Sequence, residues 1–271
     1  MKVVLFCGGQ GMRLREYGDH VPKPMVPVGP RPILWHLMKY YAHYGHHDFV
    51  LCLGHQANVI KEYFLNYKES VSNDFVLSDG GRSVQLLNSD IDKWNITFCD
   101  TGMNANIGQR LMAVREHLDG EAVFMANYAD NLTDLPLPTL MTHFRLQNKI
   151  ATFLAVRPSQ SFHVVQINDD QTVYDLTPTS ETDIWINGGY FIFKQEIFDH
   201  MTEGEELVLA PFQRLMQKRQ LTAFQHKGFW ACMDTYKEKQ MLDELHARGN
   251  APWHVWNKRA MRAREMAGVV R

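Results

Sequence analysis

Lys2-Val3-Val4-Leu5-Phe6-Cys7-Gly8-Gly9-Gln10-Gly11-Met12-Arg13-Leu14 is the stretch whose reading decides the fold. An apolar run of strand length breaks off at three glycines within four residues, which predicts a buried strand over Lys2–Phe6 and a loop over Gly8–Gly11. Glycine lets the backbone approach a ligand closely, and the amides of such a loop form a nest for phosphate oxygens. In an open parallel sheet the ligand crevice lies beyond the carboxyl ends of the strands, where this loop falls. Two familiar phosphate loops are excluded. A G-x-G-x-x-G fingerprint fails at Leu14, and no acidic residue closes the second strand to hold a ribose. The G-x-x-x-x-G-K-[ST] pattern is absent altogether. Arg13 belongs to the loop instead. Ten residues later Pro22-Lys23-Pro24-Met25 holds one cation in a stiff, extended segment.

Working outward, Pro32 suits the first turn of a helix in which Leu34, Leu37, Met38 and Tyr41 share a face, with Gly45 as its stop. Phe49–Leu53 reads as a second strand, followed by a helix that turns Val59, Ile60, Tyr63 and Phe64 inward. Residues 67–95 break the alternation. Phe75–Leu77 and Val84–Leu87 flank Asp79-Gly80-Gly81, which predicts an inserted hairpin folding over the strand ends. Ile96–Cys99, Val123–Ala126 and Ile150–Val156 resume the strands, with helices near 107–118 and 137–148. Strands separated by helices in this way make an α/β protein with a mixed, mainly parallel sheet flanked by helices on both faces. A smaller β-rich C-terminal part follows. Val164–Ile167, Thr172–Leu176, Ile184–Phe193 and Leu221–His226 read as strands, and 206–219 and 235–248 as helices.

The 271 residues suit one large α/β domain or two small ones, and Lys+Arg 28 against Asp+Glu 30 leaves a formal net charge of −2. That balance argues against a nucleic-acid coat while allowing a small charged pocket. No apolar run approaches the roughly 18–20 residues of a membrane helix, and the N-terminus does not read as a signal peptide. A cytoplasmic chain without a membrane partner is expected. Cys7, Cys52, Cys99 and Cys232 form no C-x-x-C pair and read as small buried hydrophobes. Lys258, Arg259, Arg262, Arg264 and Arg271 make 257–271 a basic tail.

With Lys23-Pro24-Met25, the glycine loop resembles the signature of sugar-1-phosphate nucleotidylyltransferases, and more narrowly of glucose-1-phosphate cytidylyltransferases. Pro32-Ile33-Leu34-Trp35-His36, Asp100-Thr101-Gly102, Trp185-Ile186-Asn187-Gly188-Gly189, Gly228-Phe229-Trp230, Met233-Asp234-Thr235 and Ala251-Pro252-Trp253 follow in the family's order. The match spans about residues 1–256 as one catalytic domain. The resemblance implies a Rossmann-like fold of the nucleotide-diphospho-sugar transferase type. It also implies transfer of a nucleotidyl group, with CTP and glucose 1-phosphate as the leading pair and pyrophosphate as the leaving group. The acceptor phosphate is already anionic at pH 7, so the chemistry needs charge neutralisation more than a base.

By the same resemblance the nucleotide would lie against Gly8, Gly9, Gly11, Met12, Arg13, Lys23, Arg110 and Asp130, with Arg13 and Lys23 as the catalytic cations. Mg2+ would be held by Asp130 and Asp234, and the acceptor by His163, Asn187 and Gly188. Each position has a plainer reading. Asp130 also suits a turn, Asp234 an N-cap, Asn187 a turn cap, His163 a pocket wall, and Arg110 a helix surface pairing with Glu116 or solvent. The chain departs from its relatives at Met12, where threonine is usual. It departs again at Leu176-Thr177-Pro178, where they carry Glu-Lys-Pro, and at Ser161-Phe162-His163. Arg157, Lys194 and Lys227 are the candidate replacements for the missing lysine. A different phosphorylated acceptor and a catalytically silent nucleotide-binding homologue remain as alternatives. A homo-oligomer is expected by analogy, with Trp253 and Trp256 either covering a subunit contact or packing on the chain's own core.

Overall fold

The computed structural model describes residues 1–9, 21–158 and 162–257. Gly11, Met12, Arg13, Ser161 and the basic stretch from Lys258 onward lie outside the described residues. In chain order the first strands are β1 (Val3–Phe6), β2 (Pro27–Val28), β3 (Arg31–Pro32), β4 (Asp48–Leu53), β5 (Phe75–Ser78) and β6 (Ser83–Leu86). Next come β7 (Asn95–Asp100), β8 (Val123–Tyr128), β9 (Asn131–Thr133), β10 (Ala151–Val156), β11 (His163–Ile167) and β12 (Val173–Pro178). The last are β13 (Ile186–Asn187), β14 (Phe191–Lys194), β15 (Leu221–His226) and β16 (Trp230–Cys232). The helices are α1 (Ile33–His43), α2 (Ala57–Leu65), α3 (Ile107–Ala113), α4 (Leu137–Gln147), α5 (Ala210–Gln217) and α6 (Tyr236–Ala247).

Apolar strands β1, β4, β7 and β8 form the parallel half of the sheet, with Leu5 opposite both Leu51 and Asn127. β14 then runs antiparallel between β8 and β10, β13 continues its line along β10, and β15 closes that edge parallel to β10. Two cores result, one on each face. Leu34, Ile60, Leu140 and Leu242 bring α1, α2, α4 and α6 to one face, and Leu111 and Phe212 bring α3 and α5 to the other. Burying one such aliphatic or aromatic side chain contributes about 1.5–3 kcal/mol, which outweighs the modest intrinsic propensity of these short helices.

Three expectations change. The apolar run 184–193 is not one strand. It splits at Gly188-Gly189, where Gly189 adopts φ 78°, and the chain resumes as β14. A side chain at Gly189 would sit 2.2 Å from Asn127 Oδ1, so only glycine makes this turn. The helix read over 206–219 shrinks to α5, because Pro211 fixes its first turn and Glu205 is tied to Thr202 N–H and the Arg214 guanidinium. The β5–β6 hairpin does not fold over the strand ends; all eight of its strand residues are exposed. It is anchored at its neck. There Glu69 accepts from the Asp90 and Ile91 amides, and Asp90 accepts from Lys39, Tyr67, Ser72 and Asn73. Trp253 is buried in the core and Trp256 packs against it, the self-packing alternative for these rings.

α1, α6 and the segment after α6 close around three imidazoles. His36 is fully buried; its Nε2–H donates to Val28 O at 2.8 Å, and its ring stacks on His254 with centroids 5.3 Å apart. Burial first, and His254 second, pull its pKa down to about 3; burial and His246 pull His254 down to about 4. Both rings are therefore neutral in the folded chain at pH 7. An unfolded histidine titrates near 6.5, so between that value and the depressed folded values the unfolded chain binds more protons. Stability is full above pH 6.5 and falls as the pH drops toward 3, by on the order of 4–5 kcal/mol for His36 alone. Urea midpoints followed from pH 7 to pH 4.5 should fall less steeply in His36→Gln or His254→Gln than in the parent chain. Identical slopes would remove the cluster as the cause.

Candidate active site

The extended reading of Pro22–Met25 holds only at Pro22; a proline's fixed φ suits a helical turn as well as an extended chain, and Lys23–Met25 takes the turn. It is a single 3-10 turn, closed by Met25 N–H to Pro22 O at 2.7 Å. Pro24 and Met25 are buried, so the turn is pinned and the Lys23 side chain leaves it at a fixed place. Asp130 follows β8, one strand away from the glycine loop at the end of β1. Asp234 follows β16, which pairs antiparallel with β9, and Met233 N–H donates to Asp130 O at 2.9 Å. Lys23 Nζ bonds Asp130 Oδ2 at 2.5 Å and also bonds Asp234 Oδ1. Two carboxylates 107 and 211 positions from Lys23 thus meet at its ammonium, and the Lys23 side chain is 14% exposed. Burial disfavours that charge, but the two carboxylates outweigh it and raise the Lys23 pKa above the ordinary lysine value.

The helix-cap role considered for Asp234 goes to its neighbour. Thr235 caps α6, with its hydroxyl accepting from Glu238 N–H while the Glu238 carboxylate accepts from the Thr235 amide. Glu238 Oε2 also accepts from Asp234 N–H at 2.8 Å, fixing the backbone from which the carboxylate reaches Lys23. Among the described residues no group of three or more His, Cys, Asp or Glu side chains is arranged to hold a metal ion. A pair of carboxylates is nonetheless what magnesium generally takes from a protein, the rest of its oxygens coming from substrate and water. Both carboxylates already converge on one cationic group, so the donor set fits.

Arg110 differs from its surface reading. α3 is only seven residues long, and the Arg110 guanidinium is 2% exposed beneath the strand ends. It donates to Gly8 O (2.9 Å), Leu53 O (3.1 Å), Gly102 O (2.9 Å), Met103 O (3.4 Å) and Thr101 Oγ1 (2.8 Å). The exits of β1, β4 and β7 are stapled together by this one side chain. Gly8 is buried against it, and Gly9, next in the loop, is exposed, with no atom of the described residues within 4 Å of where a Cβ would stand.

On the acceptor side, Asn187 Oδ1 accepts from Gly189 N–H (2.9 Å) and its Nδ2 donates to Tyr128 Oη (3.1 Å), so it caps the turn as it points toward β8. Gly188 is buried, and Trp230 Nε1–H donates to its carbonyl at 2.9 Å. Tyr128, unnoticed in the sequence, is carried to the site by its place two residues before Asp130; burial is the main cause of a pKa pushed up to about 12, so it is a neutral hydroxyl. His163 stands apart. It is exposed at the head of β11, paired with Pro178 and making no side-chain hydrogen bond among the described residues.

Residues 2–244 match the family model described as nucleotidyl transferase. The chain is 35% identical over 257 residues to the glucose-1-phosphate cytidylyltransferase of Salmonella typhimurium, covering 94% of this chain and all of that one. It is 24% identical over 249 residues to the mannose-1-phosphate guanyltransferase of Gibberella zeae, covering 89% of this chain and 62% of the relative. Among solved structures, UDP-glucose pyrophosphorylase complexed with UDP-glucose superposes with a TM-score of 0.66 at 14% identity, covering 92% of this chain and 98% of that one. At that identity the structural likeness concerns the fold: a mixed, mainly parallel sheet flanked by helices.

Proposed function

The chain belongs to the nucleotidyl transferase family and is a nucleotidyltransferase, and we propose that it transfers a cytidylyl group from CTP to a sugar 1-phosphate, with glucose 1-phosphate as the leading acceptor. The observation that carries this reading is the convergence of Lys23, Asp130 and Asp234 beside the glycine loop. An acceptor phosphate oxygen attacks the α-phosphorus; the bond from that phosphorus to the bridging oxygen breaks, and pyrophosphate leaves with the electron pair. No proton has to move. The obstacle is repulsion between roughly four negative charges on one substrate and about two on the other. Lys23 supplies a fixed positive charge against the phosphates, and Arg13 is the expected bidentate partner. Asp130 and Asp234 would hold magnesium, which when bound supplies countercharge to the triphosphate and to the departing pyrophosphate. The amides of Gly8 and Gly9 line the phosphate side, supported from below by Arg110.

Pyrophosphate release should therefore require magnesium, appear with CTP and a sugar 1-phosphate, and stop on chelation. A panel of CTP, UTP, GTP, ATP and dTTP against glucose, mannose and N-acetylglucosamine 1-phosphates is the measurement. Tight CTP binding with no release for any pair would sink the enzymatic reading. Leu176 and Thr177 favour a second acceptor within the same chemistry, since neither offers a charge to a phosphate or a strong acceptor to sugar hydroxyls. Glucose 1-phosphate losing to another sugar phosphate in that panel would be its signature.

A further inference from the structure

Resting on the nucleotidyl-transfer reading, we propose that Arg157, laid across Trp185, binds the phosphate of the acceptor. A phosphomonoester brings about two negative charges to the site at pH 7 and needs a cation of its own. Between Arg157 and Lys194 the sequence holds no lysine or arginine, while Asp169, Asp170, Asp175, Glu181 and Asp183 all fall there. Lys194 is opposite Val123, the first residue of β8, and bonds Asn148 at 2.7 Å; it lies at the end of the sheet away from Asp130. Lys227 leaves β15, the outermost strand on this side. Arg157 leaves β10 directly after Val156, on the edge where β8 delivers Asp130.

The surroundings suit an anion. The Arg157 guanidinium carbon is 5.4 Å from the centroid of the Trp185 ring, and two residues beyond that ring Asn187 bonds Tyr128, the end of β8. Stacking engages the faces of a guanidinium, and a guanidinium grips a phosphate through its in-plane N–H groups, two to two oxygens. Arg157 pairs with Asp183 at 3.2 Å, and that carboxylate is 99% exposed. An ion pair so open to water contributes little, so a phosphate dianion displaces it. A groove of about 600 Å³, bordered by Phe153, Ala155, Trp185, Ile186 and Ala223, opens beside the ring and leaves room for the organic part of the acceptor.

The test uses the full chain with the triphosphate and sugar phosphate that it turns over fastest, reading the KM of each substrate. Arg157→Gln should raise the acceptor KM about ten-fold or more and move the triphosphate KM less than about two-fold. Arg157→Lys, which keeps the charge but not the fork, should recover part of the loss. Lys194→Gln should match the parent chain. Asp183→Asn separates binding from scaffolding: removing a competitor leaves the acceptor KM unchanged or lowers it, whereas breaking a structural pair would reproduce the Arg157→Gln defect. The proposal is overturned by that reproduction, by an acceptor KM within about two-fold of the parent in Arg157→Gln, or by equal rises in both KM values. Should Arg157→Gln not fold, Arg157→Lys and Asp183→Asn decide by the same signs. A parent chain that releases no pyrophosphate with any pair brings down the nucleotidyl-transfer reading itself, a different result from a shifted KM in an active enzyme.

Discussion

Asp130→Asn should lower pyrophosphate release by at least about 100-fold while the unfolding midpoint stays close to that of the parent chain. The expectation follows from what an amide cannot do. Asparagine keeps the size and one acceptor oxygen of the aspartate, so Lys23 retains a neighbour there as well as Asp234, and the turn after β8 is undisturbed. The negative charge is lost, and with it half of the carboxylate pair proposed for magnesium. Removing a single group that stabilises developing charge in a closed site costs about 10²–10³ in rate. Raising magnesium should recover part of the loss, because a weakened cation site is filled by mass action. Turnover within about three-fold of the parent at equal magnesium would take Asp130 out of the machinery.

Gly8→Ala should damage both stability and activity, although it adds one methyl group. An ideal Cβ at Gly8 would lie 2.0 Å from Arg110 Nη1 and 2.3 Å from Cζ, far inside any real contact. A long side chain normally yields to such pressure. Arg110 is held by five acceptors on three strand exits, so yielding means giving up charge-assisted bonds in a buried place. Hydrogen bonds to charged groups contribute about 1.5–3 kcal/mol each, so losing one or two should lower stability by roughly 2–4 kcal/mol. The loop amides aimed at the triphosphate shift with the carbonyl of Gly8, and the triphosphate KM should rise. Arg110→Met breaks the same set of bonds from the other side and leaves room for the methyl. The double variant should therefore be less destabilised than the sum of the two singles in urea unfolding; strict additivity would mean that the two residues do not share this contact.

Local chemistry carried much of this architecture. The break from Lys2–Phe6 into glycines, the Pro32 start and Gly45 stop of α1, and the turn at Asp79-Gly80-Gly81 are all matters of neighbouring residues, and all are legible in order. Misreadings arose where a distant partner decides. The run 184–193 is apolar throughout, and its interruption is visible only once Asn127 is seen to fill the space a side chain at Gly189 would need. Arg110 has the pattern of a helix-surface residue, because nothing in its own neighbourhood shows three strand exits above it. The β9–β16 ribbon is three residues per strand, too short for periodicity to register. The meeting of Lys23 with Asp130 and Asp234 is likewise a product of topology, and only the family resemblance had named the three together.

That ribbon has a bearing on how acceptor recognition can change. Asp130 enters the ribbon and Asp234 leaves it at the same end, where Asn131 pairs with Cys232, and the bond from Met233 N–H to Asp130 O makes their separation a property of the main chain. Everything from Leu135 to Phe229, including Arg157, the β11–β12 hairpin and the Trp185–Gly189 segment, is an excursion that leaves the ribbon and returns to it. Such an excursion can be rewritten, as Leu176 and Thr177 illustrate, without moving either carboxylate. The two tasks of the molecule, steadying a triphosphate and choosing what receives its nucleotide, are thereby open to independent inheritance.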